Sequence, residues 1–286
     1  MNPKVKVARL SVASNILLII MKLVVGIFSG SVSIISEAIH SAMDLVAALI
    51  AYFSVKVSDN PPDSGHPYGH GKIENVSGVI EALLIFIAAA WIIIEAIKKL
   101  AGKPYALEII WIGSLVMFVS AIINSIVSHK LYKIARETNS IALEADALHL
   151  KTDVYTSLGV AVGLGLIFIT GIEWLDPVIA IMVACLIIYE SYILLKKAFS
   201  PLLDSSWSED EIKELEGKLN RMNVNYHDLR TRVAGNYRFI DMHIIIPENE
   251  SVGDAHRYCD MIEEELSKSY EKLSVTTHVE PGQENS

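Results

Sequence analysis

The sequence predicts a helical membrane protein: six transmembrane helices followed by a small α+β domain. Three observations carry that reading. Of 286 residues, 52% are hydrophobic and only 20% charged, against about 25% charged in soluble domains, and the mean hydropathy is +0.40. The apolar residues crowd between Leu10 and Phe199, whereas the chain after Pro201 is polar and charged. That polar part alternates short helical and strand patterns. The same balance excludes a simple soluble enzyme, a collagenous chain and a disordered one. The formal charge of −9 argues against nucleic acid as a partner, because nucleic acid requires a basic face. Cys185 and Cys259 provide neither a disulfide framework nor a CxxC pair.

A hydrocarbon core about 30 Å thick takes about 20 mostly apolar residues per helix. Six stretches meet that need: Leu10 to Phe28, Val32 to Val55, Val76 to Ile97, Ile109 to Val127, Ala142 to Ile169 and Pro177 to Leu195. The second and fifth carry the most ionisable residues and have the weakest hydropathy signal. No small-residue cleavage site closes the first stretch, so it reads as a retained span with Lys22 its one charged residue. Six spans place both termini on one side. That side holds Lys4, Lys6, Arg9, Lys56, Lys72, Lys130, Lys133, Arg136, Lys196 and Lys197, against Lys98, Lys99 and Lys103 opposite. The excess predicts a multi-pass protein of the cell (inner) membrane with cytoplasmic N- and C-termini.

The tail begins a new pattern. Ser206 or Ser208 can cap a helix carrying Glu209 to Leu219, with acids in its first turn. Asp228 to Val233 and Tyr237 to Ile246 read as strands joined through Ala234-Gly235-Asn236. Val252 to Lys268 reads as a second helix and Leu273 to Val279 as a third strand. The order α-β-β-α-β predicts helices on one face of a small sheet. Pro201 and Asp204-Ser205-Ser206 make a hinge, giving a transport domain over 1–204 and a tail domain over 205–286.

The chemistry lies within the apolar part. Helix two reads Ser36-Glu37-Ala38-Ile39-His40-Ser41-Ala42-Met43-Asp44, and helix five reads Asp146-Ala147-Leu148-His149-Leu150-Lys151-Thr152-Asp153. Each contains His-x-x-x-Asp, a spacing that stacks both side chains on one helix face. If the faces meet, two imidazoles and two carboxylates converge. That donor set suits tetrahedral zinc and other borderline ions better than calcium or magnesium. One membrane histidine could simply hydrogen-bond within the bundle. Two matched pairs argue for metal, since a carboxylate at bilayer depth costs about 2.5–3.5 kcal/mol on insertion scales.

With these motifs, together with Gly30-Ser31-Val32-Ser33 before helix two and the Gly69-His70-Gly71-Lys72 loop, the chain resembles the cation diffusion facilitators over nearly its whole length. The resemblance implies that His40, Asp44, His149 and Asp153 form the transport site, with Zn²⁺ as the usual substrate. It also implies a metallochaperone-like cytoplasmic domain that binds metal at a homodimer interface. Asp63, His66 and His70 in the loop after helix two offer three zinc-type ligands, and the family places a second, surface site there. In the tail, His227, His243, His256, His278 and Glu280 suggest a cluster, where the family commonly has Asp in place of Glu280. Lys72 and Asp204 are either solvated surface charge or, by the resemblance, an interlock holding two protomers. Glu81 and Asn124 read as hydrogen-bonding groups of the bundle, Glu95 as near an interface, and Leu150 as gate, lipid-facing or core.

The expected function is export of divalent cations, most of all Zn²⁺, from the cytoplasm in exchange for protons, with zinc also a structural or regulatory ion and membrane lipid the surroundings. Metal needs neutral imidazoles and ionised carboxylates, so metal and protons compete. Alternating access would rock helices two and five. A membrane-bound metal sensor or scaffold is the alternative, but a pure sensor has no need for ionisable pairs at bilayer depth. A channel filter and a Walker loop are both missing from the sequence, so neither a channel nor an ATP-driven pump is expected, and no enzymatic activity.

Overall fold

The computed structural model describes residues 2–29, 32–101, 110–170, 174–270 and 272–282. Side chains at 29, 32–37, 39–40, 99, 110–114, 160–170 and 176 fall outside that description. Gly30, Ser31, Lys103 and Ile109 therefore lie outside the described residues, as do the side chains of His40 and Lys99. Six long helices come first: α1 (Pro3–Ser29), α2 (Val32–Ser58), α3 (Lys72–Leu100), α4 (Ile110–Thr138), α5 (Ile141–Thr170) and α6 (Leu175–Phe199). A 3-10 turn (Ser200–Leu203) leads to α7 (Glu209–Arg221), β1 (Tyr226–Ala234), β2 (Tyr237–Pro247), α8 (Val252–Ser267) and β3 (Leu273–Gly282). The chain divides into two compact units, Met1–Pro61 with Ile73–Phe199, and Pro62–Lys72 with Ser200–Ser286.

In the helical unit, five segments among the described residues are long and apolar enough to cross a membrane: Pro3–Phe28, Ser41–Ser58, Lys72–Lys98, Leu115–Thr138 and Pro177–Leu203. The sixth helix, α5, carries Glu144, Asp146, Lys151 and Asp153 in its first half, which dilutes its hydropathy as the sequence predicts. Small residues let the helices approach closely: Ala8, Ala47, Ala51, Ala142, Ala145 and Ala147 have no exposed surface. One cluster joins Val7, Val55, Leu131, Leu143 and Leu150 of α1, α2, α4 and α5. Leu150 is thus core, and the lipid-facing reading falls away. A second cluster joins Ala82 and Ile85 of α3, Ala145 and Leu148 of α5, and Ile187 and Leu194 of α6.

Polar stitches fix the helices' register. Lys4 Nζ lies 2.8 Å from Glu74 Oε1 and 3.2 Å from Asp59 Oδ1. Ser58 and Ser140 also donate to the Glu74 carboxylate. Ser128 Oγ donates to the Ala147 carbonyl at 2.7 Å, and Ser191 Oγ to that of Ala82 at 2.8 Å.

In the second unit, β1 pairs antiparallel with β2, and β2 parallel with β3. A parallel neighbour requires a crossover, which α8 supplies. Ile240, Met242 and Ile244 alternate onto the face covered by Leu215 and Leu219 of α7 and by Ile262 and Leu266 of α8. Ser208 caps α7 through a reciprocal box with Glu211, and Ser251 caps α8. The β1–β2 turn uses Gly235 at φ +61°.

The loop Pro62–Lys72 belongs to this second unit, where the sequence boundary at 204/205 gives no hint of it. Its Tyr68 ring lies edge-on to Phe239 with centroids 5.7 Å apart. A Cβ on Gly71 would stand 2.1 Å from the Ala234 carbonyl oxygen, so only glycine permits that approach.

Candidate metal centres

Three groups of ligand-type side chains converge among the described residues. Asp44, His149 and Asp153 form the first, with one ligand atom from each all lying within 4.8 Å. His149 and Asp153 stand one turn apart on α5, and α2 packs against α5 so that His149 Nε2 comes 3.1 Å from Asp44 Oδ1. Asp44 is 4% exposed. Asn124 of α4 donates from Nδ2 to Asp153 Oδ2 at 3.3 Å, an orienting contact with the site that the sequence pattern alone did not specify. His40 sits one turn before Asp44 within α2, its side chain outside the described residues. Two carboxylates this close in a buried setting repel one another. The arrangement gathers two carboxylates and one imidazole around a single point.

The second group is Asp63, His66 and His70, again with ligand atoms within 4.8 Å. Backbone N–H groups of His66 and Gly65 donate to Asp63 Oδ1 at 2.7 and 2.9 Å. The first of these, more than any neighbouring charge, holds the Asp63 carboxyl below the usual range. Asp63 Oδ2 lies 3.4 Å from His70 Nε2, and the His66 and His70 rings are 4.5 Å apart.

The third group is His227, His243 and Glu280. Sheet register builds it: His227 pairs with His243 across β1–β2, and His243 with His278 across β2–β3. These residues alternate with the helix-covered ones, so they occupy the other sheet face. Glu280 Oε2 lies 3.2 Å from His227 Nε2, and its Oε1 lies 2.9 Å from His243 Nδ1. Glutamate therefore reaches both rings. His278 is at the margin, its Nε2 3.9 Å from Glu280. β1 begins two residues before its predicted start, and a register shift between His227 and Arg230, with Asp228 at φ +50°, carries the sequence past the bulge. His227 is thus inside the strand, and Asp228 Oδ2 comes 3.7 Å from His243 Nε2.

Two further sets of expected residues have these places within one chain. His256 does not join the other tail histidines: it lies on α8, which covers the opposite sheet face, with its Nε2 3.5 Å from Asp260. Lys72 meets Asp204 of its own chain at 2.8 Å, with Arg232 at 3.5 Å. The Lys72 hydrogen bond holds the Asp204 carboxyl below its usual range.

The sequence matches the cation efflux transmembrane domain over residues 8–203 and the cytoplasmic domain of cation efflux proteins over residues 207–282. Its relatives include the uncharacterised transporter sll1263 of Synechocystis sp., 35% identical over 277 residues, 96% of this chain and 89% of that one. They also include the cation-efflux pump FieF of Shewanella oneidensis, 30% identical over 279 residues, 96% of this chain and 93% of that one. The metal-bound C-terminal domain of the CzcD transporter from Thermotoga maritima, at 31% identity and a TM-score of 0.25, spans 28% of this chain and 100% of that domain. Since both domains match in order and relatives align along almost the full length, this chain belongs to the cation diffusion facilitator family, the multi-pass membrane proteins of divalent cation efflux.

Proposed function

We propose that this protein exports Zn²⁺ from the cytoplasm in exchange for protons, by alternating access at a site made of His40, Asp44, His149 and Asp153. The observation that carries this reading is the convergence of Asp44, His149 and Asp153 from two packed helices. Oxygen and imidazole donors in near-tetrahedral number favour zinc over calcium or magnesium. The 3.1 Å contact between His149 Nε2 and Asp44 Oδ1 is a ready-made competition. A proton on the imidazole is shared with the carboxylate, and a metal ion takes both ligands in its place. A protonated imidazole is lost as a ligand, so a pH gradient can drive the exchange.

The Lys and Arg excess supports cytoplasmic termini, which puts the tail on the side where metal is collected. There, Asp63, His66 and His70 form a surface metal site. His227, His243, His278 and Glu280 form a second, with His256 contributed across a homodimer. These ions would respond to cytoplasmic metal and stabilise the dimer, leaving transport to the helical unit.

The test is metal uptake into proteoliposomes for several divalent ions, with and without an imposed pH gradient. Zinc should move fastest and against the proton flow. Asp44→Ala and Asp153→Ala should abolish flux in a protein that still elutes as the folded species. Zinc binding with no flux under any gradient would turn the assignment to a metal sensor.

A further inference from the structure

A cleft of about 900 Å³ runs along α5 on the side opposite the transport ligands. Its α5 lining includes Glu144, Leu148, Lys151 and Tyr155, a stripe at helical spacing that leaves out His149 and Asp153. α4 and α6 both pack on α5 through apolar clusters, and they form the two walls. The lining falls in the second halves of α4 and α6 and the first half of α5. Those helix ends meet one membrane surface, the one that holds the α4–α5 turn. The volume suits a whole molecular group rather than a lone ion.

Two of the acids in the cleft are committed to lysines. Both carboxylate oxygens of Glu190 lie 3.1 Å from Lys151 Nζ, which also stands over the Tyr132 and Tyr155 rings at 5.7 and 5.1 Å. Glu144 takes Lys197 at 2.6 Å. Towards the helix ends, Lys133 and Arg136 stand one turn apart on α4, with Glu137 the remaining acid of the lining. Cations are therefore in excess. Both side chains are exposed, and their spacing puts ammonium and guanidinium on one helix face. A phosphodiester matches that pair, since guanidinium takes two phosphate oxygens at once and ammonium adds a point charge. Leu148, Val154, Ile193 and Leu194 give the cleft an apolar wall. Ile126 on α4 and Tyr189 and Tyr192 on α6, next in sequence to lining residues, are more than half exposed. A soluble anion leaves this apolar surface unused, whereas an acyl chain covers it.

We propose that this cleft holds the headgroup of an anionic phospholipid, its phosphate on Lys133 and Arg136 and its acyl chains starting along Val154 and Ile193. Basic pockets between transmembrane helices take such headgroups. The lipid braces the back of α5, the helix whose other side carries His149 and Asp153.

The experiment strips the full chain of lipid in neutral detergent and titrates it with phosphatidylglycerol, phosphatidylethanolamine or inorganic phosphate, counting bound ligand by native mass spectrometry. The parent should bind phosphatidylglycerol in preference to the other two. So should Lys130→Gln, which removes an exposed α4 lysine outside the cleft. Lys133→Gln with Arg136→Gln should weaken that binding about 30-fold, the effect of two cations at a membrane surface. Ser125→Trp fills the cleft from α4 while keeping every charge, and it should lose the lipid as well. Each substituted side chain is exposed, so the fold is kept. Parent-like affinity in the double variant would overturn the site. Parent-like affinity in Ser125→Trp would do the same, by placing the lipid on the general basic surface. Equal binding of phosphatidylethanolamine would overturn the anionic headgroup, and lipid displaced by phosphate at matched concentration would mark a soluble-anion site instead.

Discussion

Asp153 illustrates how one side chain is set by its neighbours. Its place on α5 brings it into reach of His149 and Asp44, and the Asn124 amide fixes one of its oxygens. Hydrogen bonds behind metal-binding carboxylates typically contribute 10–100-fold in affinity. Asn124→Leu should therefore raise the zinc concentration for half-maximal flux about 10-fold while leaving saturated flux nearly intact. An unchanged half-saturation point would remove Asn124 from the site. His40→Asp tests the residue whose side chain lies outside the described set. A third carboxylate in place of an imidazole makes the donors harder, so Cd²⁺ or Mn²⁺ should gain on zinc in competition flux. An unchanged selectivity ratio would redraw the site around Asp44, His149 and Asp153 alone. In the tail, His243→Ala should abolish zinc binding in dilute, monomeric protein, whereas His256→Ala should matter only where dimers form. Equal losses in both at all protein concentrations would contradict the separation of α8 from the histidine face.

At the scale of elements, α5 divides its faces between different tasks. His149 and Asp153 turn towards α2, while Lys151 turns away, its Nζ 3.1 Å from both carboxylate oxygens of Glu190 on α6. The His-x-x-x-Asp spacing alone made the first face legible in the sequence, because a helix repeat decides which side chains stack. The contact of Ser191 on α6 with the Ala82 carbonyl on α3 was not legible, since nothing in either helix says which turn of one meets which turn of the other. The starts of β2 and β3 fall where the sequence places them, but β1 begins two residues early, because a bulge at Asp228 has no sequence mark apart from an ordinary polar residue. Capping, by contrast, was readable. Burial pushes the Glu211 carboxyl up, but hydrogen bonds from Ser208 and pairing with Arg238 outweigh it and hold the group below its usual range. A depressed folded value means that this contribution is full above the unfolded carboxylate value of about 4.3 and is lost as pH falls through the folded one. Ser208→Ala should cost about 1 kcal/mol, seen in the full chain as faster amide exchange across α7 near neutral pH. The difference should shrink in acid. Exchange equal to the parent's at neutral pH would mean that the box contributes nothing to α7.

For the molecule as a whole, the two units are built on different solvents. The helical unit leaves Leu17, Ile27, Phe28, Ile87 and Trp91 exposed, as a surface meant for lipid must. The second unit closes its own core around Trp207, Leu215, Ile240, Met242, Ile244 and Ile262. That core predicts that a fragment from about Ser200 onwards folds in water without the helices. The structure adds a condition that the sequence boundary did not contain. Pro62–Lys72 belongs to the same unit, with Arg232 stacked 4.9 Å from the Tyr68 ring and 4.4 Å from that of Phe239. A fragment lacking this loop uncovers the Phe239 edge and frees the Gly71–Gly235 approach. Its core should persist while the β1–β2 turn loosens. Amides from 232 to 239 should then exchange faster in the fragment than in the full chain, and those of 240–244 should not. Zinc should still raise the fragment's melting point, by RT ln(1 + [L]/Kd), or about 2.7 kcal/mol at one hundred times Kd, because His227, His243 and Glu280 all lie within it. Uniformly faster exchange through β2 would mean that the loop is part of the core rather than a cover over one turn. A melting curve blind to excess zinc would reduce the histidine row to a surface feature.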